Sequence, residues 1–248
     1  MRDLYSQFTN YLATIIEQDP RDWDFKRHPD VTYMLEHVMP EIGLQYLELI
    51  ADTDMFKANE ALVKRLCATN DIYGKPRRCE FNGFMTLSPS NLRYVYLSHL
   101  ALQHMVKLGK HEVDIIEIGG GYGGLCFFMN RLAPLYNIKI ASYSLFDLPE
   151  PLALQKKYLG LHRIVDNVHF HTLDSFVLSL DSFLLSTYSF SEINEEVRAE
   201  YIDKVLPYCN HGFIAWNWIP FYKFIDTEFK VEDEEPLSGD ENNKFVYF

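Results

Sequence analysis

Apolar side chains recur every three or four positions over the first 110 residues and gather into short runs after that. Leu4, Phe8, Tyr11, Leu12, Ile15 and Ile16 fall on one face of a helix. A second helix is predicted over 31–38, with Asp30 as its N-cap, and helical spacing continues over 41–51 and 56–67. The stretch 70–91, NDIYGKPRRCEFNGFMTLSPSN, is rich in turn formers and reads as an ordered loop. At its end Ser88-Pro89 is a helix-start signal, and a helix is expected over 91–108.

Beyond residue 112, β-rich runs at 113–118, 138–146, 167–172, 182–188 and 212–219 alternate with helical stretches at 123–133, 150–160 and 192–209. Such alternation predicts βαβ units and a mostly parallel sheet with helices on both faces. The runs 228–231 and 244–248 are expected to add an antiparallel hairpin, bringing the sheet to seven strands. Between them EDEEPLSGDE (232–241) reads as a solvated acidic loop. The chain thus divides into a helical region, 1–110, and an α/β domain, 111–248.

IIEIGGGYGGLCF (115–127) holds five of the twelve glycines, between a strand and a helix. Glycine accepts positive φ, lets a ligand reach the backbone, and opens the N–H groups at a helix start. Two patterns overlap here. Gly119, Gly121 and Gly124 satisfy the dinucleotide pattern G-x-G-x-x-G, with Asp147 near the place of a ribose-binding acid. Glu117, Gly119, Gly121 and Gly123 read E-x-G-x-G-x-G, which looks like motif I of S-adenosylmethionine-dependent methyltransferases. A carboxyl there suits a ligand bearing an ammonium and a sulfonium and repels a pyrophosphate, so Glu117 favours the second pattern; the blander alternative is a solvated strand end. Asp147, in FDLPEP, is placed to accept from a ribose diol, and it is equally placed to cap the helix that follows.

EIGGGYGGL, LFDLPEPLALQKKYL, STYSFSEI and the upstream GKPRRCEFNGFMTLSPSNLRY together resemble the sugar O-methyltransferase family, over residues 73–218. The resemblance implies a Rossmann-like class I methyltransferase fold and S-adenosylmethionine as cofactor. It also implies a sugar, nucleotide-sugar or glycan hydroxyl as methyl acceptor. The cofactor contacts it implies are Glu117, Gly119, Gly120, Gly121, Tyr122, Gly123, Asp147 and Leu148, with Asp174, Ser175 and Phe176 at the adenine. Asp174 serves equally well as a helix cap. The helical region then reads as a cover for the acceptor pocket and a surface for self-association. An NAD-dependent oxidoreductase and a non-catalytic binding module are the rival readings.

Methyl transfer to a hydroxyl benefits from a base. Glu192, in SFSEI, is the candidate, as a base or a ligand for sugar hydroxyls; Ser191 capping the next helix, with Glu192 favouring its dipole, is the alternative. Arg93, Ser191, Asn217 and Trp218 are candidate acceptor contacts, although Arg93 serves equally to pair with an acid of the cofactor or to bridge the two parts of the chain, and Trp216 and Trp218 are as readily core residues. His169 and His171 share a strand face without an evident third metal ligand, so no metal is expected. His211 reads as structural; His99 and His104, on the helix before the glycine turn, either face the pocket or fall there by chance. Lys75, Arg77 and Arg78 form a basic cluster suited to an anionic acceptor or to a solvated loop.

The formal net charge of −12 argues against nucleic acid as a partner. Four cysteines without metal spacing read as reduced thiols. The start MRDLYSQFTN lacks a leader pattern and no apolar run reaches about 18 residues, so a cytoplasmic protein without a membrane span is expected.

Overall fold

The computed structural model describes residues 2–35 and 38–248. The helical region comprises α1 (Arg2–Ile15), α2 (Pro29–Thr32), α3 (Pro40–Ala51), α4 (Asp54–Asn70), a hairpin of β1 (Cys79–Phe81) and β2 (Met85–Leu87), and α5 (Pro89–Lys107). The α/β part follows as β3 (Glu112–Ile118), α6 (Gly124–Leu132), β4 (Lys139–Phe146), α7 (Pro149–Leu161), β5 (Val168–His171), β6 (Ser182–Thr187), α8 (Glu195–Lys204), β7 (Cys209–Trp216), β8 (Lys230–Asp233) and β9 (Lys244–Tyr247).

The seven-stranded sheet has the order β5-β4-β3-β6-β7-β9-β8. Strands β3 to β7 run parallel; β9 is antiparallel to both β7 and β8. The fold is the Rossmann-like α/β class read from the sequence. The chain leaves β3 outward through β4 to β5, then returns to β6 on the other side of β3. That reversal opens a crevice beyond the carboxyl ends of β3 and β6, where ligands of open parallel sheets bind.

Strand alternation sorts β3 between two cores. Val113 and Ile115 join a cluster running from Phe8, Trp23 and Tyr46 through Leu97 of α5 to Tyr143 and Phe183. Ile116 and Ile118 join the opposite cluster with Phe146, Trp216 and Phe224. The helical region therefore shares one continuous core with a face of the sheet. A polar knot seals the joint: Asn70 Nδ2 donates to Asn91 Oδ1 (2.6 Å) and to Tyr122 Oη (3.0 Å), while the buried Lys26 donates to Asn70 O and lies 4.5 Å from the Tyr122 ring centre.

Several expectations are corrected. The predicted helix over 31–38 is the short α2; its N-cap is His28, and Asp30 lies inside the first turn. Its passage over 36 and 37, like the side chain of Leu4, lies outside what is described. The loop over 70–91 contains the β1–β2 hairpin. The helix predicted over 192–209 begins only at Glu195, because Asn194 caps it by accepting from Val197 N (2.9 Å). No helix among the described residues is long and apolar enough to cross a membrane.

Candidate functional site

The glycine turn lies at the switch point. Gly119 (φ +77°) donates its N–H to Phe146 O at 2.9 Å, extending the β3–β4 ladder by one bond while the chain turns away. A Cβ there would meet Ser189 Oγ at 1.9 Å and Ser189 Cβ at 2.3 Å, so no side chain is admitted. Gly123 (φ +92°) caps α6 without a side-chain acceptor. The first N–H groups of α6 are thus open to an external acceptor.

Glu117 is 1% exposed and faces the core that carries α5 and α6. Tyr143 Oη donates to its Oε2 at 2.6 Å. No cationic side chain among the described residues pairs with it. Burial pushes its pKa up to about 7; the Tyr143 hydrogen bond opposes the rise and the charge of Asp147 adds to it. Cys126, buried alongside, is raised well above its ordinary range by burial and then by Glu117.

Asp147 ends β4 beside the same turn. Its Oδ1 accepts from Leu148 N (2.8 Å) and its Oδ2 from Gln155 Nε2 (2.9 Å). Burial raises it to about 6, against hydrogen bonds from Leu148, Gln155, Gly121 and Gly120. Gln155 is fully buried and also donates to Gly121 O at 2.9 Å, so one amide fastens the acid to the turn. The sequence reading missed it, although it lies two helical turns after Asp147 on the helix that follows. Gln155→Ala is expected to lower thermal stability by about 1–3 kcal/mol, as a buried donor and its packing are lost, and to weaken ligand binding at the turn; melting curves and titration calorimetry measure both. Leu148 is exposed at the N-cap of α7, while Asp174 and Ser175 are exposed after β5. Phe176 packs edge-on against Phe146 at 5.3 Å between ring centres.

Across the crevice, at the ends of β6 and β7, four polar side chains interlock. Ser191 Oγ donates to Asn217 Oδ1 (2.5 Å) and accepts from Asn217 N (3.0 Å). Glu192 Oε1 accepts from Asn217 Nδ2 and from Trp218 Nε1 (2.8 Å). Its Oε2 takes no hydrogen bond from the described residues. Burial raises the Glu192 pKa, and the two donors oppose the rise. With α8 starting three residues later, neither Ser191 nor Glu192 serves as a helix cap. Trp218 is 58% exposed and has φ +67°; Tyr188, at the end of β6, has φ +59°. Each left-handed aromatic costs about 1–3 kcal/mol.

Side chains of the helical region lie near this ground. The pKa of Tyr5 of α1 is raised by burial and then by the charges of Glu192 and Asp147. Leu35 lies 3.3 Å from where a Cβ on Gly121 would sit, and its carbonyl accepts from Arg93 Nη2 at 3.0 Å. The Arg93 guanidinium lies over the Tyr188 ring, 5.3 Å from its centre. Tyr122 turns the other way: its ring is buried among Phe25, Tyr94 and Tyr158, leaving only its backbone to meet a ligand. His99 hydrogen-bonds Tyr136 Oη (2.5 Å) and His104 the Phe248 carbonyl (3.1 Å). Of the basic cluster, Lys75 donates to Asp22 O and Arg78 pairs with Asp71 at 3.5 Å. His169 and His171 stack on the edge strand β5, and among the described residues no group of three metal-binding side chains occurs.

No family model matches the chain, and no curated protein matches it. Among solved structures, the plantazolicin methyltransferase BpumL in complex with SAH matches at 14% identity over 71% of this chain and 58% of its own, with a TM-score of 0.37. The Pnkp1/Rnl/Hen1 RNA repair complex matches at 18% over 60% and 40%, TM-score 0.44, and a SAM-dependent methyltransferase from Aquifex aeolicus at 10% over 59% and 87%, TM-score 0.40. The chain spans less than two thirds of the first two. Similarity at this level carries no inference to activity.

Proposed function

We propose that the chain is an S-adenosylmethionine-dependent methyltransferase acting on a hydroxyl of a sugar or glycoconjugate. The observation that carries the reading is Glu117: a buried carboxyl without a cationic partner among the described residues, beside a glycine turn that excludes side chains. A ligand with an ammonium group supplies the missing charge. A dinucleotide would set its pyrophosphate against that same carboxyl.

In this reading Glu117 takes the amino group, the Gly119–Gly123 backbone lies along the ligand, and Asp147 takes the ribose hydroxyls. Asp174, Ser175 and Phe176 border the adenine. The cofactor supplies an electrophilic methyl group on a sulfonium. Asn217 and Trp218 hold Oε1 of Glu192 and leave Oε2 to accept the acceptor's proton. Burial, by raising the Glu192 pKa, makes it a stronger base. The exposed Trp218 ring beside that carboxyl joins an apolar face to a hydrogen-bond acceptor, which supports a polyhydroxyl ring as acceptor. Tyr5 and Leu35 act as a cover that keeps water from the crevice.

Calorimetry with S-adenosylmethionine, S-adenosylhomocysteine and NAD tests the cofactor. Binding of the first two without the third is expected; preference for NAD overturns the reading. Transfer from labelled S-adenosylmethionine to a panel of sugars, nucleotide sugars and glycans tests the acceptor, and label found only on peptide or RNA removes the sugar part. Glu192→Gln is expected to lower turnover about 10²-fold or more, with cofactor affinity changed by less than about twofold.

A further inference from the structure

We infer that Glu234, in the acidic loop between β8 and β9, is a positioning residue for the acceptor side, holding Trp218 and through it Glu192. The inference deepens the methyl-transfer reading and rests on it for its functional meaning. The sequence reading placed 232–241 in solvent. Instead Glu234 is 5% exposed while the flanking Asp233 and Glu235 are exposed.

Its carboxyl gathers four donors. Tyr188 Oη and Ser238 Oγ (2.7 Å) donate to Oε1; Ser238 N (2.9 Å) and Asn243 Nδ2 (2.8 Å) donate to Oε2. Asn243, so oriented, presents Oδ1 to the backbone N–H of Trp218 at 3.2 Å, and Asn242 Nδ2 donates to Trp218 O at 3.3 Å. Both left-handed aromatics are thus tied to one loop: Tyr188 by its phenol, Trp218 by its backbone. They stand at the ends of adjacent strands, joined by Tyr188 N–H donating to Ala215 O at 2.8 Å. A bulky residue stays left-handed only where its surroundings over-determine it. Here the shared anchor is Glu234. Releasing it frees Trp218 to leave the left-handed region, and its indole N–H then no longer aims at Glu192 Oε1.

The link has a spectroscopic reporter that needs no acceptor. Trp23 and Trp216 are fully buried and Trp218 is 58% exposed, so acrylamide quenching of the protein's fluorescence reports on Trp218. In Glu234→Ala the acceptors for Tyr188 Oη, Ser238 and Asn243 are all lost. The quenching constant is expected to rise by about 1.5-fold, while S-adenosylhomocysteine affinity by calorimetry changes by less than about twofold. Glu234→Gln, whose oxygen still accepts from Ser238 N and Asn243 Nδ2 while its NH2 donates to the hydroxyls of Tyr188 or Ser238, is expected to keep quenching near the wild type. Asn243→Ala, which cuts the link with Glu234 intact, should raise quenching as Glu234→Ala does. Unchanged quenching in both Glu234→Ala and Asn243→Ala overturns the inference. So does a parallel loss of S-adenosylhomocysteine binding and Trp218 shielding in both, since that marks general loosening. Should Glu234→Ala not fold, Asn243→Ala decides alone. Failure of the wild type to bind S-adenosylhomocysteine defeats the methyltransferase reading and leaves the quenching result standing.

Discussion

Replacing Glu117 by glutamine is expected to raise the stability of the cofactor-free protein at pH 8 and to weaken cofactor binding at least about 100-fold. The folded chain holds this proton up to about pH 7, against an ordinary value of 4.5. A raised carboxyl pKa favours folding in its protonated form. Its contribution is therefore complete below about pH 4.5 and is lost as pH rises through 7. The difference amounts to roughly 3 kcal/mol at pH 8. Glutamine has no proton to lose, and its Oε1 still accepts from Tyr143. Its melting temperature should exceed the wild type by several °C at pH 8, and the gap should narrow toward pH 5. The same change removes the charge that meets the ligand's ammonium. Wild-type binding near pH 7 should release a proton, seen as a dependence of the calorimetric heat on buffer ionisation enthalpy. A lower melting temperature at pH 8, or an unaltered dissociation constant, would count against a carboxyl held unpaired for a cationic ligand.

Gly119→Ala is expected to cost about 2–4 kcal/mol of stability and to abolish measurable cofactor binding. Two penalties combine. Alanine is strained at φ +77°, and its Cβ would lie 2.3 Å from Ser189 Cβ. Rotating the Ser189 hydroxyl away does not relieve the second contact, so the Ser189 backbone must move. That backbone carries the turn to Glu192, whose N–H donates to Ser189 O at 2.9 Å. The insult thus spreads from the cofactor side to the acceptor side. Gly119→Ala/Ser189→Gly removes the collision and keeps the φ strain. It should recover part of the stability, making the pair non-additive by about 1 kcal/mol or more. Strict additivity would show that the two residues do not press on one another.

The difference between sequence and structure follows the range of the interactions. The α/β alternation was legible because each strand and helix buries one face, and burial writes a period of two or 3.6 into consecutive residues. Asp147 at a strand end and the left-handed glycines were legible for a related reason: a turn's demands are local. Where two local signals competed, the outcome was less readable. Ser191 looked like a helix cap, but Asn194 took the position and left Ser191 free to bind Asn217. Tyr122 stands inside the glycine motif, yet its ring serves the joint with the helical region, decided by Asn70 and Lys26 far back in the chain.

By itself, then, the sequence determined the strand–helix order, the seven-stranded sheet, the glycine turn and the acid placed just before it. Only the tertiary structure decided that Glu117 is buried without a cationic partner among the described residues, that Leu35 packs against the glycine turn, and that Glu234 leaves an acidic loop to hold Tyr188 and Asn243. The reason is physical. Burial and the charge a site needs are set by neighbours dozens of residues away, and no periodicity along the chain records which of them will meet.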